Sequence, residues 1–160
     1  MYDIEELKKI IKDNPIYIRN VEEPSEELKT LAVSLKGSVI QYIINPSEEL
    51  QLLAVKNDPM SVEYIEEPSE QAAILAVKGN WNALKYIKSP EEAVIKAALE
   101  EKGWAIQYTK DPTNKQQLQA IEKDYDAIRY IAFPTIEAQV LAVSKYWGAI
   151  RYIKEPFFET

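Results

Sequence analysis

Trp81, Tyr125 and Trp147 stand at multiples of 22 residues from one another, and Lys85, Arg129 and Arg151 repeat the same spacing four places later. Trp104 falls one place off the first series. Side chains of these types bind rather than react. Aromatic faces and guanidinium groups stack and make cation–π contacts, and both are enriched among residues that carry interface energy. The chain offers little other reactive chemistry. It has no cysteine and no histidine, which removes disulfides, thiolate nucleophiles, Cys/His zinc sites and histidine acid–base catalysis. A carboxylate pair or a carboxylate-only metal site stays open in principle, yet no acidic pair recurs where a concave polar site is expected. The sequence therefore reads as non-enzymatic, with no cofactor and no metal.

A second group is polar where its neighbours are apolar. Thr109 replaces the isoleucine or valine of other repeats, and Gln116 and Gln119 fall in slots filled elsewhere by apolar residues. Three polar residues at one junction either line a pocket or mark a loose, partly exposed helix, since a buried amide without partners costs a few kcal/mol. In the first case the ligand is a small, nucleotide-like molecule held between arginine and aromatic side chains.

The elements that position these residues follow from one period. Proline recurs every 22 residues, at Pro24, Pro46, Pro68, Pro90, Pro112, Pro134 and Pro156. Alanine stands eight places after each of the first six (Ala32, Ala54, Ala76, Ala98, Ala120, Ala142), and tyrosine four places before each of the last six. A unit this short cannot bury its own apolar face and must stack on its neighbours. Counted from the proline, apolar slots at +4, +7, +8 and +9 define a helix of about three turns, reading from Pro46 to Lys56 in one unit. Asn45, Ser89 and Asp111 at −1 read as its caps, with Pro at the first helical position and Glu48 or Glu92 closing a capping box. A turn follows, then a short second helix such as Trp81 to Lys88, with apolar slots at −7, −6 and −3. The fold class expected is all-α: an α-solenoid of about seven 22-residue two-helix repeats. It forms a single repeat domain over residues 1–160, with a degenerate unit at 2–23, repeats over 24–155 and a tail at 156–160.

The pattern xLAVKxNxxALxYIKNPSEE is carried by Leu53-Ala54-Val55-Lys56-Asn57, Asn45-Pro46-Ser47-Glu48-Glu49 and Ala83-Leu84-Lys85-Tyr86-Ile87-Lys88. It resembles a short helical repeat family of unknown function found in bacterial, phage and large-virus proteins. More distantly it is similar to leucine-rich variant and HEAT-type solenoids, the former alternating a helix with a shorter 3₁₀ segment. The resemblance spans nearly the whole chain and brings no catalytic residues. It implies an interaction protein of a phage or bacterium, in its sharpest form an inhibitor that blocks or sequesters a host factor in the host cytoplasm.

In such an array the shared slots serve stacking, so function belongs to the departures. Trp81, Lys85, Trp104, Tyr125, Arg129, Trp147 and Arg151 are the expected partner-binding residues, set against a plainer use of each ring as cover for the ends of the inter-helix core. The tyrosine column reads as structural, each ring half covered. The acidic group Asp58, Glu63, Glu66 and Glu67 beside Lys78, Lys85 and Lys88 reads as a solvated face. Val140, Leu141, Val143, Tyr146 and Trp147 do not resemble a polar cap, so either Phe157 and Phe158 fold back as a lid or a second copy packs there as a homodimer. A net charge of −7 argues against general nucleic-acid binding. No apolar run reaches the roughly 18 residues of a membrane span, and no secretory leader stands at the N-terminus, so a cytoplasmic protein is expected.

Overall fold

The computed structural model describes residues 3–154 and 156. The chain is an all-α solenoid of seven repeats, each a ten-residue α-helix followed by a six-residue 3₁₀ helix. It divides into two compact units, Met1–Ser89 and Pro90–Thr160. The first contains α1 (Ile4–Asp13), η1 (Pro15–Asn20), α2 (Glu26–Leu35), η2 (Gly37–Tyr42), α3 (Glu48–Asn57), η3 (Pro59–Tyr64), α4 (Glu70–Gly79) and η4 (Trp81–Tyr86). The second contains α5 (Glu92–Glu101), η5 (Gly103–Tyr108), α6 (Asn114–Lys123), η6 (Tyr125–Tyr130), α7 (Ile136–Lys145) and η7 (Trp147–Tyr152). Within each unit every α-helix packs on the α-helix of the next repeat and every 3₁₀ helix on the next 3₁₀ helix. The result is two layers built from serial contacts, as a stacked repeat requires.

The alanine column sits at the centre of this packing. All six alanines are fully buried, and a side chain without further carbons lets successive backbones approach closely. The approach is direct at two places. A Cβ added to Gly37 would lie 2.5 Å from the carbonyl oxygen of Ala54, and one added to Gly103 would lie 2.1 Å from that of Ala120. The 3₁₀ layer contributes Val39, Ala83, Ala105, Ala127 and Ala149 at −7, with Ile40, Val62, Leu84, Ile106 and Ile128 at −6, all buried.

Two sequence expectations about the repeat are corrected. The caps are not Asn45, Ser89 and Asp111, and the helices do not begin at the proline. The N-caps lie two residues later, at Ser47, Glu91 and Thr113, and the helix expected from Pro46 runs Glu48–Asn57. Proline keeps the residue before it out of the right-handed helical region. Asn45 and Asp111 instead take φ of 47° and 48°, a left-handed conformation that these two residue types tolerate. The chain then runs extended to the cap, where the Ser47 hydroxyl accepts from the Leu50 N–H at 3.4 Å. Capping boxes form at Asp3 with Glu6 and at Thr113 with Gln116. The second helix is the other correction. It is a 3₁₀ helix, Trp81–Tyr86 in the repeat cited above, closed by an Ile87 N–H donating to the Leu84 carbonyl at 3.2 Å. Six residues with apolar slots three apart satisfy a three-residue turn better than a 3.6-residue one.

Polar links join successive repeats at several places. The exposed Lys115–Glu92 pair, 2.8 Å apart, joins α6 to α5. Its hydrogen bond holds the Glu92 carboxyl below its ordinary range and raises the Lys115 ammonium above its own. An exposed pair of this kind adds little stability. Two hydroxyls are buried without a hydrogen-bond partner, Ser61 Oγ at a −7 slot and Thr109 Oγ1 at a −3 slot. Four other repeats carry alanine at −7, and the other −3 slots hold isoleucine or, at Val21, valine. Ser61→Ala and Thr109→Val are each expected to stabilise the protein by about 1 kcal/mol, because an unpaired buried hydroxyl is removed without a change of shape. Thermal denaturation would read this as a Tm rise of roughly 2–4 °C each.

At the end of the second unit, α7 leaves Ile136 and Val140 exposed, together with Ile150 of η7. Phe157 and Phe158, the expected lid over this face, lie outside the described residues, as does Tyr2 at the start of the degenerate unit.

Candidate partner-binding surface

The expected binding residues distribute over both units. Trp81 and Lys85 lie on η4 in the first, where Trp81 is half-buried and the Lys85 ammonium sits 4.4 Å from the Tyr86 ring. Trp104, Tyr125, Arg129, Trp147 and Arg151 lie on η5, η6 and η7 in the second.

Within the second unit the 3₁₀ helices bring Trp104, Arg129 and Arg151 into one array. The 3₁₀ layer stacks at the 22-residue period, so a side chain at −5 of one repeat lies beside the −4 tyrosines of its own and the next repeat. The Arg129 guanidinium is 5.0 Å from the Tyr130 ring, 5.7 Å from Tyr152 and 5.8 Å from Trp104. Arg151 is 4.8 Å from the Tyr152 ring and donates to its hydroxyl at 2.7 Å. That hydrogen bond raises the Arg151 pKa above its ordinary value. Trp104 is fixed from three sides. Its indole N–H donates to Asp126 at 2.7 Å, the Lys102 ammonium lies 4.4 Å from its ring, and the Tyr130 ring centroid is 5.9 Å away. Asp126 also faces Arg129 at 3.8 Å.

Tyr125 and Trp147 belong to a second cluster at the starts of η6 and η7. Tyr125 packs on Tyr146 at 4.9 Å, and Tyr146 on Trp147 at 6.1 Å. Trp147 is 77% exposed. A large ring this free does not serve as cover for the core. The −4 tyrosines are partly covered, Tyr86, Tyr108, Tyr130 and Tyr152 more so than Tyr64.

The three polar junction residues each have a local explanation. Gln116 completes the Thr113 capping box, its side chain accepting from the Thr113 N–H at 2.9 Å. Gln119 sits in a half-exposed +7 slot and donates to the Lys96 carbonyl of the preceding helix at 3.1 Å. Thr109 holds the unpartnered hydroxyl described above.

Two residues that the sequence reading passed over belong to this surface. Phe133 is 90% exposed at a −1 slot where the other repeats carry Glu23, Asn45, Glu67, Ser89 and Asp111. That column alone marks it as a departure. Gln117, only 4% exposed, lies beneath the same loop. Its amide donates to the carbonyls of Pro112 at 3.0 Å and Phe133 at 3.4 Å, and its oxygen accepts from the Thr135 N–H at 2.9 Å. Gln51 repeats the arrangement with Pro46 and Ser69 in the first unit. Glutamine at the +5 slot of three repeats was the available signal.

No protein-family model, curated protein or solved structure matches the chain. Among the described residues no helix is long and apolar enough to cross a membrane, and no cluster of three or more acidic side chains is placed to hold a metal ion.

Proposed function

We propose that this chain is a non-catalytic protein-binding module whose partner docks on the cation–aromatic surface of the second unit. The observation that carries the reading is the Arg129 guanidinium, set among the rings of Trp104, Tyr130 and Tyr152 on a scaffold otherwise devoted to stacking. Arginine and the large aromatics dominate interface hot spots, the rings because they bury much area with few rotatable bonds and the guanidinium because it stacks flat while offering several donors. Trp147 adds an exposed anchor on the same unit. The resemblance to repeats of phage and bacterial proteins supports a sharper form, in which the partner is a host factor that the chain blocks or sequesters in the cytoplasm.

The test is affinity capture from lysate of the cell in which the chain is expressed, with quantitative mass spectrometry of the wild type, Arg129→Glu and Trp147→Ala. A protein enriched on the wild type should fall by about tenfold or more on each variant, the loss typical of a hot-spot residue. Equal capture by all three, or no enriched protein, overturns the reading.

A further inference from the structure

We propose that the groove beside Phe133 receives an acidic peptide segment of the partner bearing an aromatic side chain, an inference that rests on the binding-module reading and names the chemistry of its site. The groove encloses about 570 Å³, and its walls include Arg129, Tyr130, Phe133, Pro134, Tyr152 and Lys154. That volume lies within the range of ligand-binding clefts and suits two or three side chains rather than a folded surface.

Three observations select the occupant. The first is charge. Two cations line the groove, and no carboxylate does among its described lining residues. Lys154 makes no ion pair among the described residues, and Arg129 has only the 3.8 Å approach of Asp126, which also accepts from the Trp104 indole. Cations left this open complement carboxylates, and guanidinium groups bind them with two parallel hydrogen bonds.

The second is Phe133. The other −1 slots are polar, so packing within the repeat does not call for a ring there. Its exposed face, flanked by Tyr130, Tyr152 and Pro134, offers an incoming aromatic side chain an offset or edge-on partner. The third is rigidity. Gln117 holds the Phe133 carbonyl and the Thr135 N–H from beneath, so the loop is already ordered and little conformational entropy is lost when a peptide binds.

A polynucleotide fits less well. The chain carries a net charge of −7. The second unit by itself has 11 acidic and 9 basic residues, and 9 − 11 leaves −2. Two groove cations match two or three carboxylates, whereas nucleic acid demands a continuous basic track.

The test uses the full chain and four fluorescein-labelled probes of equal length: peptides repeating Glu-Glu-Tyr, Glu-Glu-Ala or Lys-Lys-Tyr, and single-stranded oligo-dT. Fluorescence polarisation at low salt should show binding of the Glu-Glu-Tyr peptide alone. Amide shifts in ¹⁵N spectra should concentrate at residues 129–135 and 152–154. Phe133→Ala and Lys154→Glu should each weaken binding by about tenfold, the scale of a hot-spot loss, and both should keep the wild-type spectrum elsewhere because these side chains are exposed. Lys9→Glu on α1 should leave binding unchanged. Equal binding of the Glu-Glu-Ala or Lys-Lys-Tyr peptide overturns the inference, as does tighter binding of oligo-dT or shifts located elsewhere. If no peptide binds while lysate capture still depends on Arg129, this inference falls and the binding module stands. If no peptide binds and lysate capture is also independent of Arg129, both fall.

Discussion

Gly103→Ala is expected to destabilise the protein by about 3 kcal/mol, a Tm fall of roughly 6–12 °C by thermal denaturation. The cause is a steric clash. The added carbon would stand 2.1 Å from the Ala120 carbonyl oxygen and 3.1 Å from its carbon. Both atoms are backbone of α6 and cannot swing aside. The same residue donates its N–H to Asp124 at 2.7 Å, and Asp124 also pairs with Lys102 at 2.8 Å, so η5 is tied to the end of α6 at this point. Pushing the elements apart stretches those bonds and opens the contact beneath the fully buried Ala120. Gly148→Ala is the matched control. The three atoms nearest its new carbon would all belong to the Tyr146 side chain, the first 2.5 Å away, and a partly exposed ring can move. A cost below about 1 kcal/mol is expected there, because a side-chain ring can give way where the α6 backbone cannot. Equal costs at the two sites would show that backbone approach at the alanine column is not what sets the stacking distance. Hydrogen exchange should localise the Gly103→Ala defect to α6 and η5, because stability in a repeat array is a sum over neighbours.

The alanine column behind this expectation was legible in the sequence, as were the serial stacking and the apolar slots that face the core. A fixed period leaves no freedom in these: a slot filled by alanine or isoleucine in every unit must have the same surroundings in every unit. What the period hides is local. Apolar residues at −7, −6 and −3 fit either 100° or 120° per residue, since the two geometries diverge by only about 80° across four residues. The segment is too short to separate them, and 3₁₀ helices resulted. The capping residues were misassigned because Asn45, Ser89 and Asp111 precede proline at the place where a cap is usually sought. The cap is instead the residue after the proline in every repeat, Ser25, Ser47, Ser69, Glu91, Thr113 and Thr135, whether or not the residue before the proline is left-handed as Asn45 and Asp111 are. Thr113-Asn114-Lys115-Gln116 carries the capping-box spacing openly and explains a glutamine that looked misplaced in an apolar slot.

The candidate surface was legible in part, for the same reason. Arg129 and Arg151 were visible as departures at a fixed slot, and stacking sets each guanidinium against the next tyrosine. Phe133 was equally visible at the −1 column but sits in a loop, where periodic apolar slots give no expectation of a ring. Exposure, which decides whether a ring is core or anchor, is a property of three dimensions. The wide difference between Trp147 and the half-buried Trp104 could not be read from two tryptophans in neighbouring slots.

Gln117→Leu is expected to cost about 2–3 kcal/mol and to loosen the loop that carries Phe133. Leucine keeps most of the volume, so the loss isolates the hydrogen bonds. The Thr135 N–H and the Pro112 and Phe133 carbonyls would all lose a partner at a nearly closed site, and each unpaired buried polar group costs about 1–3 kcal/mol unless it relaxes toward water. The fold alone does not require the amide, since Ala73 and Ile95 fill the same slot in other repeats. Its use beneath Phe133 therefore serves that loop. Gln51→Leu is the comparison. Gln51 bonds Pro46 and Ser69 without the additional carbonyl that Gln117 holds at Phe133, so a smaller cost is expected by about one hydrogen bond. Both variants should lower the melting temperature. Only Gln117→Leu should speed amide exchange at Thr135 and weaken the Glu-Glu-Tyr peptide. Equal loss of peptide binding in the two variants would mean that the amide supports the stack in general and does not hold the groove in shape.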